Sequence, residues 1–168
     1  LIQAVRSLPP EVPVELSIYG NPREFPEYVA SLHTLAADDP RIHFRGTFPN
    51  KDIGEVFGHL DVLVVPSIWY ENTPLVIYSS MAAGCPVVAT DLGGMSEAVT
   101  HEVNGLLFEK GNVAQLARHL RRLAEDRGLV ARLAAHTPLP RSIPQYVDAL
   151  EAGYRDVFAR VRPGRAAV

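Results

Sequence analysis

The sequence predicts an α/β fold in which helices cover both faces of a doubly wound parallel sheet. Two observations predict it: five short apolar runs are spaced along the first two thirds of the 168 residues, and helical patterns separate them. Strands that alternate with helices form parallel sheets, because each crossover returns the chain to the same end of the sheet. The length, with 47% hydrophobic residues, suffices for one domain with a full core.

Five strands are predicted from runs rich in β-branched and apolar residues. They are VELSIYG (14–20), RIHFRG (41–46), DVLVVPS (61–67), CPVVAT (85–90) and NGLLFE (104–109). The third run is almost entirely apolar, and we therefore expect helices to cover both of its faces.

Helices are predicted between these strands, over residues 26–39, 50–60, 74–83 and 95–101. After residue 110 the pattern is helical only, and apolar residues repeat every three or four positions from Val113 to Leu123. Pro138 and Pro140 interrupt this pattern before a C-terminal helix over 141–161, whose apolar stripe predicts that it packs on another surface. A frayed tail is predicted for residues 162–168.

The first eight residues, LIQAVRSL, are typical of a crossover helix that follows a strand. A doubly wound domain seldom begins with an exposed crossover helix. The expectation is that a first strand, and with it a preceding domain, lies ahead of Leu1 in the intact protein.

Composition and sequence patterns argue against several classes of protein. No apolar run reaches the ~18 residues of a membrane span, and the opening residues lack the order of a signal peptide. The single cysteine, Cys85, cannot form an intramolecular disulfide, which favours a reducing, cytoplasmic setting. The six histidines lack metal-ligand spacing, so no zinc or iron site is expected.

The net charge of −3 conceals a division between two parts of the chain. Residues 1–109 hold 5 basic and 14 acidic residues, whereas residues 110–168 hold 11 basic and 5 acidic ones. The basic part could face an anionic membrane surface or a partner, although such a pattern is more often the solvated face of amphipathic helices. Nucleic acid is not an expected partner, because no platform of aromatic and basic residues accompanies the charge.

The loop after the third strand is the expected ligand site, since ligands of open parallel sheets bind beyond the carboxyl ends of the strands. Thr73 is predicted to cap the next helix and Pro74 to occupy its first position. The N–H groups of Leu75 and Val76 would then form an anion site suited to phosphate. Glu71 is an acceptor for sugar hydroxyls, so the loop predicts a ligand in which sugar and phosphate are joined.

Simpler interpretations of these residues remain open at this point. A Thr-Pro start is common in helices that bind no ligand. Trp69 and Tyr70 could stack on a base or a sugar, but aromatic residues at a loop are more often explained by simple packing. Cys85 is better explained as a small buried residue than as a nucleophile. No G-x-G-x-x-G follows a strand, so a dinucleotide site of the oxidoreductase kind is unsupported.

Taken in order, five segments resemble the C-terminal domain of GT-B glycosyltransferases of family 4, also called glycosyltransferase group 1. The segments are SIYG, IHFRGTF, LDVLVVPS, ENTPLVIYSSMAAGCPVVATDLGGMSEAV and NGLLFEKGNVAQLARHL. The resemblance implies that residues 1–168 form a Rossmann-like nucleotide-sugar donor domain, the C-terminal half of a GT-B fold, without its first strand and its N-terminal acceptor domain. It further implies transfer of a hexose, with retention, from a UDP or GDP sugar to an acceptor glycan or lipid.

The resemblance also assigns roles to residues of the site. Glu71 matches the glutamate that contacts the donor sugar and is the implied catalytic residue. The amides that bind the diphosphate in the family match the five residues that follow it: Asn72, Thr73, Pro74, Leu75 and Val76. Ser67 lies in the same donor-binding loop. Arg45 and Gly46 match a segment near the nucleotide base, and Gly93 and Gly94 open the next helix close to the site.

Two departures from the family pattern keep other functions open. Ser79 stands where the family usually has a second glutamate that holds the ribose hydroxyls, and the loss of a charged hydrogen bond would weaken binding by about 1–3 kcal/mol. Residues 52–109 contain no lysine or arginine, so a diphosphate would depend on helix amides. The family's arginine and lysine follow the first strand, ahead of this chain.

The alternatives are a degenerate, non-catalytic transferase-like module, a nucleotide-sugar epimerase on the same fold, and a scaffold that binds through the basic C-terminal helices. No metal or other cofactor is expected, because no Asp-x-Asp cluster is present to hold a cation. A cytoplasmic location is expected, and contact with a membrane surface is an open alternative.

Overall fold

The computed structural model describes residues 1–72 and 74–161. The predicted frayed tail, 162–168, and the predicted capping residue Thr73 lie outside the described residues. The chain divides into two compact units, Leu1–Pro138 and Leu139–Val168.

The first unit alternates helices and parallel strands, which confirms the predicted fold class. Its strands are β1 (Leu16–Tyr19), β2 (Ile42–Gly46), β3 (Leu63–Val65), β4 (Val87–Thr90) and β5 (Gly105–Phe108). Its helices are α1 (Ile2–Arg6), α2 (Pro26–Ala36), α3 (Ile53–Gly58), α4 (Leu75–Ala82), α5 (Gly94–Ala98), α6 (Val113–Glu125) and α7 (Arg127–Ala135), with a 3-10 turn at Asn50–Asp52 before α3. Each predicted strand is present but shorter, because residues at one or both ends of each run lie outside the strand.

The strands form two sheets. β1 and β2 pair in parallel, with Leu16 opposite Ile42, and β3, β4 and β5 form a second parallel sheet in that order. β4 lies in the middle of its sheet and all four of its residues are buried, whereas β3 lies at the edge and is only half-buried. Side chains of β3 nevertheless pack on both of its faces, Val64 in one hydrophobic cluster and Leu63 and Val65 in the other, as predicted.

Two hydrophobic clusters lie on opposite faces of the strands. One packs α1, α2, α6 and α7 against side chains from all five strands, including Leu16, Val64 and Leu106. The other packs α4 and α5, through residues such as Ile77 and Met95, against β3, β4 and β5 only. Alternation of side chains along each strand produces these two layers.

The second unit contains α8 (Ile143–Val161), close to the predicted helix over 141–161. None of the residues of α8 is buried. Its predicted apolar stripe, which includes Tyr146, Leu150 and Phe158, is exposed. No helix among the described residues is both long and apolar enough to cross a membrane.

An ion pair ties the start of β2 to the loop after α1. Arg41 Nη2 donates to Asp39 Oδ2 at 2.8 Å, and Nη1 of the same guanidinium donates to the carbonyl oxygens of Leu8 and Pro9, both at 3.2 Å. The hydrogen bond from the Arg41 side chain lowers the pKa of Asp39 from 3.8 to about 2. Because the pKa is depressed in the folded state, this stabilisation is present above the unfolded pKa and is lost as pH falls from about 4 toward 2.

Asp39→Asn is expected to lower the free energy of unfolding by about 1–2 kcal/mol at pH 7, since it removes a charge-assisted hydrogen bond. Urea unfolding at pH 7 and at several lower pH values measures this change, and the difference from the unmodified chain should shrink below pH 4. Asp38→Asn is the matched control, because Asp38 is exposed and its φ of 57° suits asparagine. Equal losses in both variants would contradict the role assigned to the ion pair.

Candidate functional site

The loop between β3 and α4 lies at the carboxyl end of β3, where ligands of open parallel sheets bind. Ser67 Oγ donates to Glu71 Oε1 at 3.1 Å and accepts the Trp69 N–H at 3.4 Å. The Glu71 N–H donates to the Trp69 carbonyl oxygen at 3.0 Å. The Glu71 carboxylate is thus held at one oxygen, and among the described residues its other oxygen has no partner, so it can accept hydrogen bonds from a ligand.

Two glycines at the start of α5 brace this loop. The Gly94 N–H donates to the Glu71 carbonyl oxygen at 2.8 Å. A Cβ atom at position 94 would lie 2.0 Å from the Asn72 carbonyl oxygen, and Gly93 has a φ of +54°. Only glycine allows the backbone of α5 to approach the loop so closely. The resemblance placed Gly93 and Gly94 near the site, and the structure brings them into contact with it.

Helix α4 begins at Leu75, one residue later than predicted. Pro74 occupies the N-cap with an extended ψ of 94°, and no side chain caps the helix within the described residues. As proline has no N–H, it donates nothing to a ligand. No acceptor in residues 1–72 or 74–161 takes the N–H of Leu75 or Val76, so these two first-turn groups are the donors that α4 offers.

Ser79 lies on α4, one turn after Leu75. Its hydroxyl donates to the Leu75 carbonyl oxygen at 3.1 Å. With its proton engaged in this way, Ser79 offers a ligand only acceptor capacity. Such a group is weaker than an ionised carboxylate, which accepts from two hydroxyls at once.

Cys85 follows α4 and is buried. Burial raises the pKa of its thiol, which therefore remains protonated at neutral pH. Ser80, also buried, donates to the Cys85 carbonyl oxygen at 2.8 Å. These contacts support the interpretation of Cys85 as a packing residue.

Arg45 and Gly46 lie in the other sheet, at the carboxyl end of β2. The Arg45 side chain is exposed, and its Nε donates to Ser17 Oγ at 3.3 Å. Gly46 has a φ of +73°, and beside it the rings of Tyr19 and Phe48 meet edge to face at 5.3 Å. The predicted site residues thus fall into two groups: Ser67, Glu71, Asn72, Pro74, Leu75, Val76 and Ser79 share the loop and α4, whereas Arg45 and Gly46 belong to β2.

Sequence reasoning missed a second polar pair at this edge of the sheet. Asp91 directly follows β4, and its Oδ1 accepts the Ser96 hydroxyl at 2.6 Å. The signal that could have identified Asp91 is its place immediately after a buried strand. Trp69 and Tyr70, for which simple packing is the preferred interpretation, are 75% and 81% exposed.

The arginines of the basic C-terminal part are largely neutralised by ion pairs. Arg122 pairs with Glu102, Arg121 with Glu125, Arg127 with Asp61 and Arg132 with Asp126. Such pairs are expected on the solvated face of amphipathic helices, which is the other interpretation of these basic residues given above. They weaken the hypothesis of a scaffold that binds through positive charge. Among the described residues, no group of three or more His, Cys, Asp or Glu side chains is arranged to hold a metal ion.

Comparison with solved structures identifies proteins with a similar fold. The crystal structure of Anabaena Alr3699/HepE in complex with UDP matches 90% of this chain with a TM-score of 0.76 and 27% identity. The same protein in complex with UDP-glucose matches 82% of this chain with a TM-score of 0.74 and 30% identity. These matches cover 44% and 38% of the respective HepE chains.

Comparison of sequences leads to the same family. A D-inositol 3-phosphate glycosyltransferase of Streptomyces bingchenggensis is 38% identical over 111 residues, which is 62% of this chain and 24% of that protein. This chain therefore spans about a quarter of the length of that relative. The family model described as "Glycosyl transferases group 1" matches residues 1–126. The chain belongs to the glycosyl transferase group 1 family, and its fold is that of the family's C-terminal, GT-B domain.

Proposed function

We propose that this chain binds a nucleotide-diphosphate sugar at the loop that carries Glu71, and that it is the donor half of a retaining hexosyltransferase. The observation that supports this most directly is the braced loop, in which one oxygen of the Glu71 carboxylate and the N–H groups of Leu75 and Val76 have no partner among the described residues. The acceptor, a glycan or a lipid, and any catalytic base would come from a second domain. We therefore expect this chain by itself to bind the donor without transferring its sugar.

In this proposal each part of the donor meets a different group. The N–H groups of Asn72, Leu75 and Val76 stabilise the diphosphate as it leaves, since charge that develops there meets oriented dipoles. Glu71 accepts hydrogen bonds from the sugar, and Ser67 keeps its carboxylate oriented. The region of Arg45 and Gly46 approaches the base. UDP and UDP-glucose in the HepE structures support a donor of the UDP type.

The proposed site has little positive charge. Residues 52–109 contain no lysine or arginine, and a helix N-terminus supplies only about half a charge. A diphosphate with about two negative charges is therefore only partly neutralised by this chain. We expect weak, millimolar affinity for the nucleotide.

Titration of the chain with UDP, GDP, ADP and UDP-glucose, followed by NMR, tests the proposal. Amide signals of residues 71–79 should shift with one preferred base, and UDP-glucose should shift the Glu71 signal beyond the effect of UDP. Inorganic pyrophosphate and free glucose are control ligands, which separate the contribution of the diphosphate to binding from that of the sugar. Shifts confined to other surfaces, or none at millimolar ligand in a folded chain, would contradict the proposal.

A degenerate, non-catalytic module is the second candidate, and Ser79 is the observation that favours it. Replacement of Ser79 by glutamate is expected to raise UDP affinity about tenfold, because a charged acceptor for the ribose hydroxyls adds about 1.4 kcal/mol. Ser79→Gln is the matched control, which adds length without charge and should gain much less. The gain should also be smaller for 2′-deoxy-UDP. Unchanged affinity would show that the site works without a carboxylate at this position.

Location and membrane contact form the remaining part of the proposal. A cytoplasmic protein with a lipid acceptor would need contact with a membrane surface, and the arginine face of α6 and α7 is the region that could provide it. Because four of its arginines are paired with carboxylates, that contact would be weak.

A further inference from the structure

β5 lies at one edge of the second sheet, and in the described part of the chain no strand pairs with its outer side. The Phe108 carbonyl oxygen accepts the Asp91 N–H at 2.7 Å, so Phe108 directs its backbone groups toward the side of β4. Successive residues of a strand direct these groups to opposite sides, and those of Gly105, Leu107 and Glu109 therefore point outward. Backbone groups left unpaired at an edge can recruit a strand from another molecule.

Side chains, and not a strand, bind the outward groups of β5. His101 Nδ1 accepts the Leu107 N–H at 2.9 Å, and His119 Nε2 lies 3.1 Å from the Leu107 carbonyl oxygen. Gln115 Oε1 accepts the Glu109 N–H at 2.9 Å. Gln115 and His119 are one turn apart on α6, so one face of this helix follows the edge of β5. The edge is thus closed by α6 and by the turn before β5.

These contacts determine where the protons of the two rings lie. A backbone N–H can only donate and a carbonyl oxygen can only accept, so His101 Nδ1 is unprotonated and His119 Nε2 carries a proton. Burial lowers the pKa of His119 below its ordinary value, and this half-buried ring is therefore neutral at pH 7. Because that pKa is depressed in the folded state, protonation of His119 costs stability as pH falls below the unfolded pKa.

The turn that carries His101 is held in place by its own hydrogen bonds. The buried Asn104 side chain accepts the Thr100 N–H through Oδ1 at 2.7 Å. Glu102 has a φ of 63°, and its N–H donates to the Gly105 carbonyl oxygen at 2.9 Å. A residue other than glycine persists in this left-handed region only where its surroundings hold it there. The His101 ring is therefore presented to β5 by a fixed backbone.

Charged groups from three segments surround the two rings, whose centroids lie 5.8 Å apart. Glu102 Oε1 lies 3.7 Å from His101 Nε2, and Arg122 of α6 forms an ion pair with the same carboxylate. Arg132 of α7 and His136, which follows α7, line a cleft beside Glu102. The Glu102 carboxylate favours a charged His101, whereas the Arg122 guanidinium offsets that effect. Protonation of both rings would thus place two cations beside a single carboxylate that is already paired.

We propose that His101 and His119 form a pH-sensitive cap on the outer edge of β5. At neutral pH the cap is closed on the backbone groups of Leu107. As pH falls toward about 5, protonation turns His101 Nδ1 into a donor that faces the Leu107 N–H, so the ring must turn away. A charge on His119 adds repulsion between the rings. The edge of β5 is then open to solvent and can accept another strand. This device does not depend on the proposed function, since it follows from the contacts of Leu107.

Amide hydrogen exchange of this chain, followed by NMR, tests the proposal. Protection factors, which correct for the intrinsic pH dependence of exchange, are compared for Leu107 and Phe108 at about pH 7.5 and about pH 5. Both amides should be protected at the higher pH. At the lower pH the protection of Leu107 should fall about tenfold more than that of Phe108. The ring nitrogen signals of His101 should report a proton on Nε2 alone at the higher pH and a charged ring at the lower one.

A double variant, His101→Asn with His119→Gln, separates the cap from its titration. The asparagine Oδ1 and the glutamine Nε2 can take the places of the two ring nitrogens, and neither amide titrates. This variant should keep Leu107 protected at both pH values, whereas His101→Ala should leave Leu107 in fast exchange at both. His59→Asn is the matched control, because His59 is exposed at the end of α3 and bonded to the Glu55 carbonyl oxygen. It should leave the exchange of Leu107 unchanged.

Three results would overturn the proposal. Equal loss of protection at Leu107 and Phe108 in the unmodified chain would mean that β5 opens as a whole. Retention of the original pH dependence in the double variant would show that the two histidines do not cause it. A proton on His101 Nδ1 at about pH 7.5 would exclude the hydrogen bond on which the cap depends.

Discussion

Gly94→Ala is expected to destabilise the first unit by about 3 kcal/mol and to displace the Glu71 loop, because the added Cβ atom meets backbone that cannot rotate away. That atom would lie 2.0 Å from the Asn72 carbonyl oxygen and 3.0 Å from that of Glu71. Relief of the clash requires α5 and the loop to separate, which also breaks the hydrogen bond from the Gly94 N–H to Glu71. Urea unfolding measures the loss of stability, and UDP titration measures the loss of binding.

Two control variants separate these effects. Gly105→Ala places a Cβ atom 2.2 Å from the Val87 carbonyl oxygen at the opposite end of the sheet, so it should cost similar stability and leave binding by the folded protein unchanged. Gly54→Ala, where the added atom meets nothing within 4 Å, should be neutral or slightly stabilising. If Gly105→Ala weakened UDP binding as much as Gly94→Ala, the loop would not be specifically braced by α5.

Under the proposed function, Glu71→Gln is expected to reduce kcat/KM of the complete transferase about 100-fold or more, since it would remove the negative charge proposed to orient the donor sugar. In this chain alone, the same change should abolish the extra affinity for UDP-glucose over UDP and leave UDP binding almost unaltered. Fold stability should change little, because the Ser67 hydroxyl can still donate to the amide oxygen of glutamine.

Glu97→Gln is the matched control for this prediction. Glu97 is an exposed residue of α5 with the same charge and no hydrogen-bond partner within the described part of the chain, so its replacement should leave both kinetics and binding unchanged. Equal effects of the two substitutions would indicate that any loss of negative charge at this edge of the sheet changes binding through the electrostatic potential. Loss of UDP affinity in Glu71→Gln would place the carboxylate near the nucleotide instead of the sugar.

Local patterns in the sequence were sufficient to predict the secondary structure and the place of the candidate loop. Apolar runs of β-branched residues predicted all five strands, because their preference for a pleated, buried surface depends mainly on neighbouring residues. The loop between β3 and α4 was predicted from a general property of parallel sheets, whose ligands bind at the carboxyl ends of strands. Five segments taken in order, the longest of them from Glu71 to Val99, were sufficient to predict the family.

Other features depended on distant parts of the chain. The sequence predicted Pro74 inside α4, but the extended ψ of Pro74, 94°, delays the helix to Leu75. It also predicted that β3 is covered on both faces, but not that β3 lies at the edge of its sheet. Edge and centre strands cannot be distinguished by composition alone, since burial of a strand depends on which strands pair beside it.

The sequence by itself determined the order of strands and helices, the family, and the chemical types of the site residues. Only the tertiary structure decided that Gly93 and Gly94 hold the Glu71 loop, that Asp91 joins the same edge, and that four arginines of α6 and α7 are paired. It also decided that β3 lies at the edge of its sheet in the described part of the chain. The physical reason is that helix and strand preferences are local properties, whereas backbone contacts between residues such as Glu71 and Gly94 exist only after the intervening strand β4 has packed into its sheet.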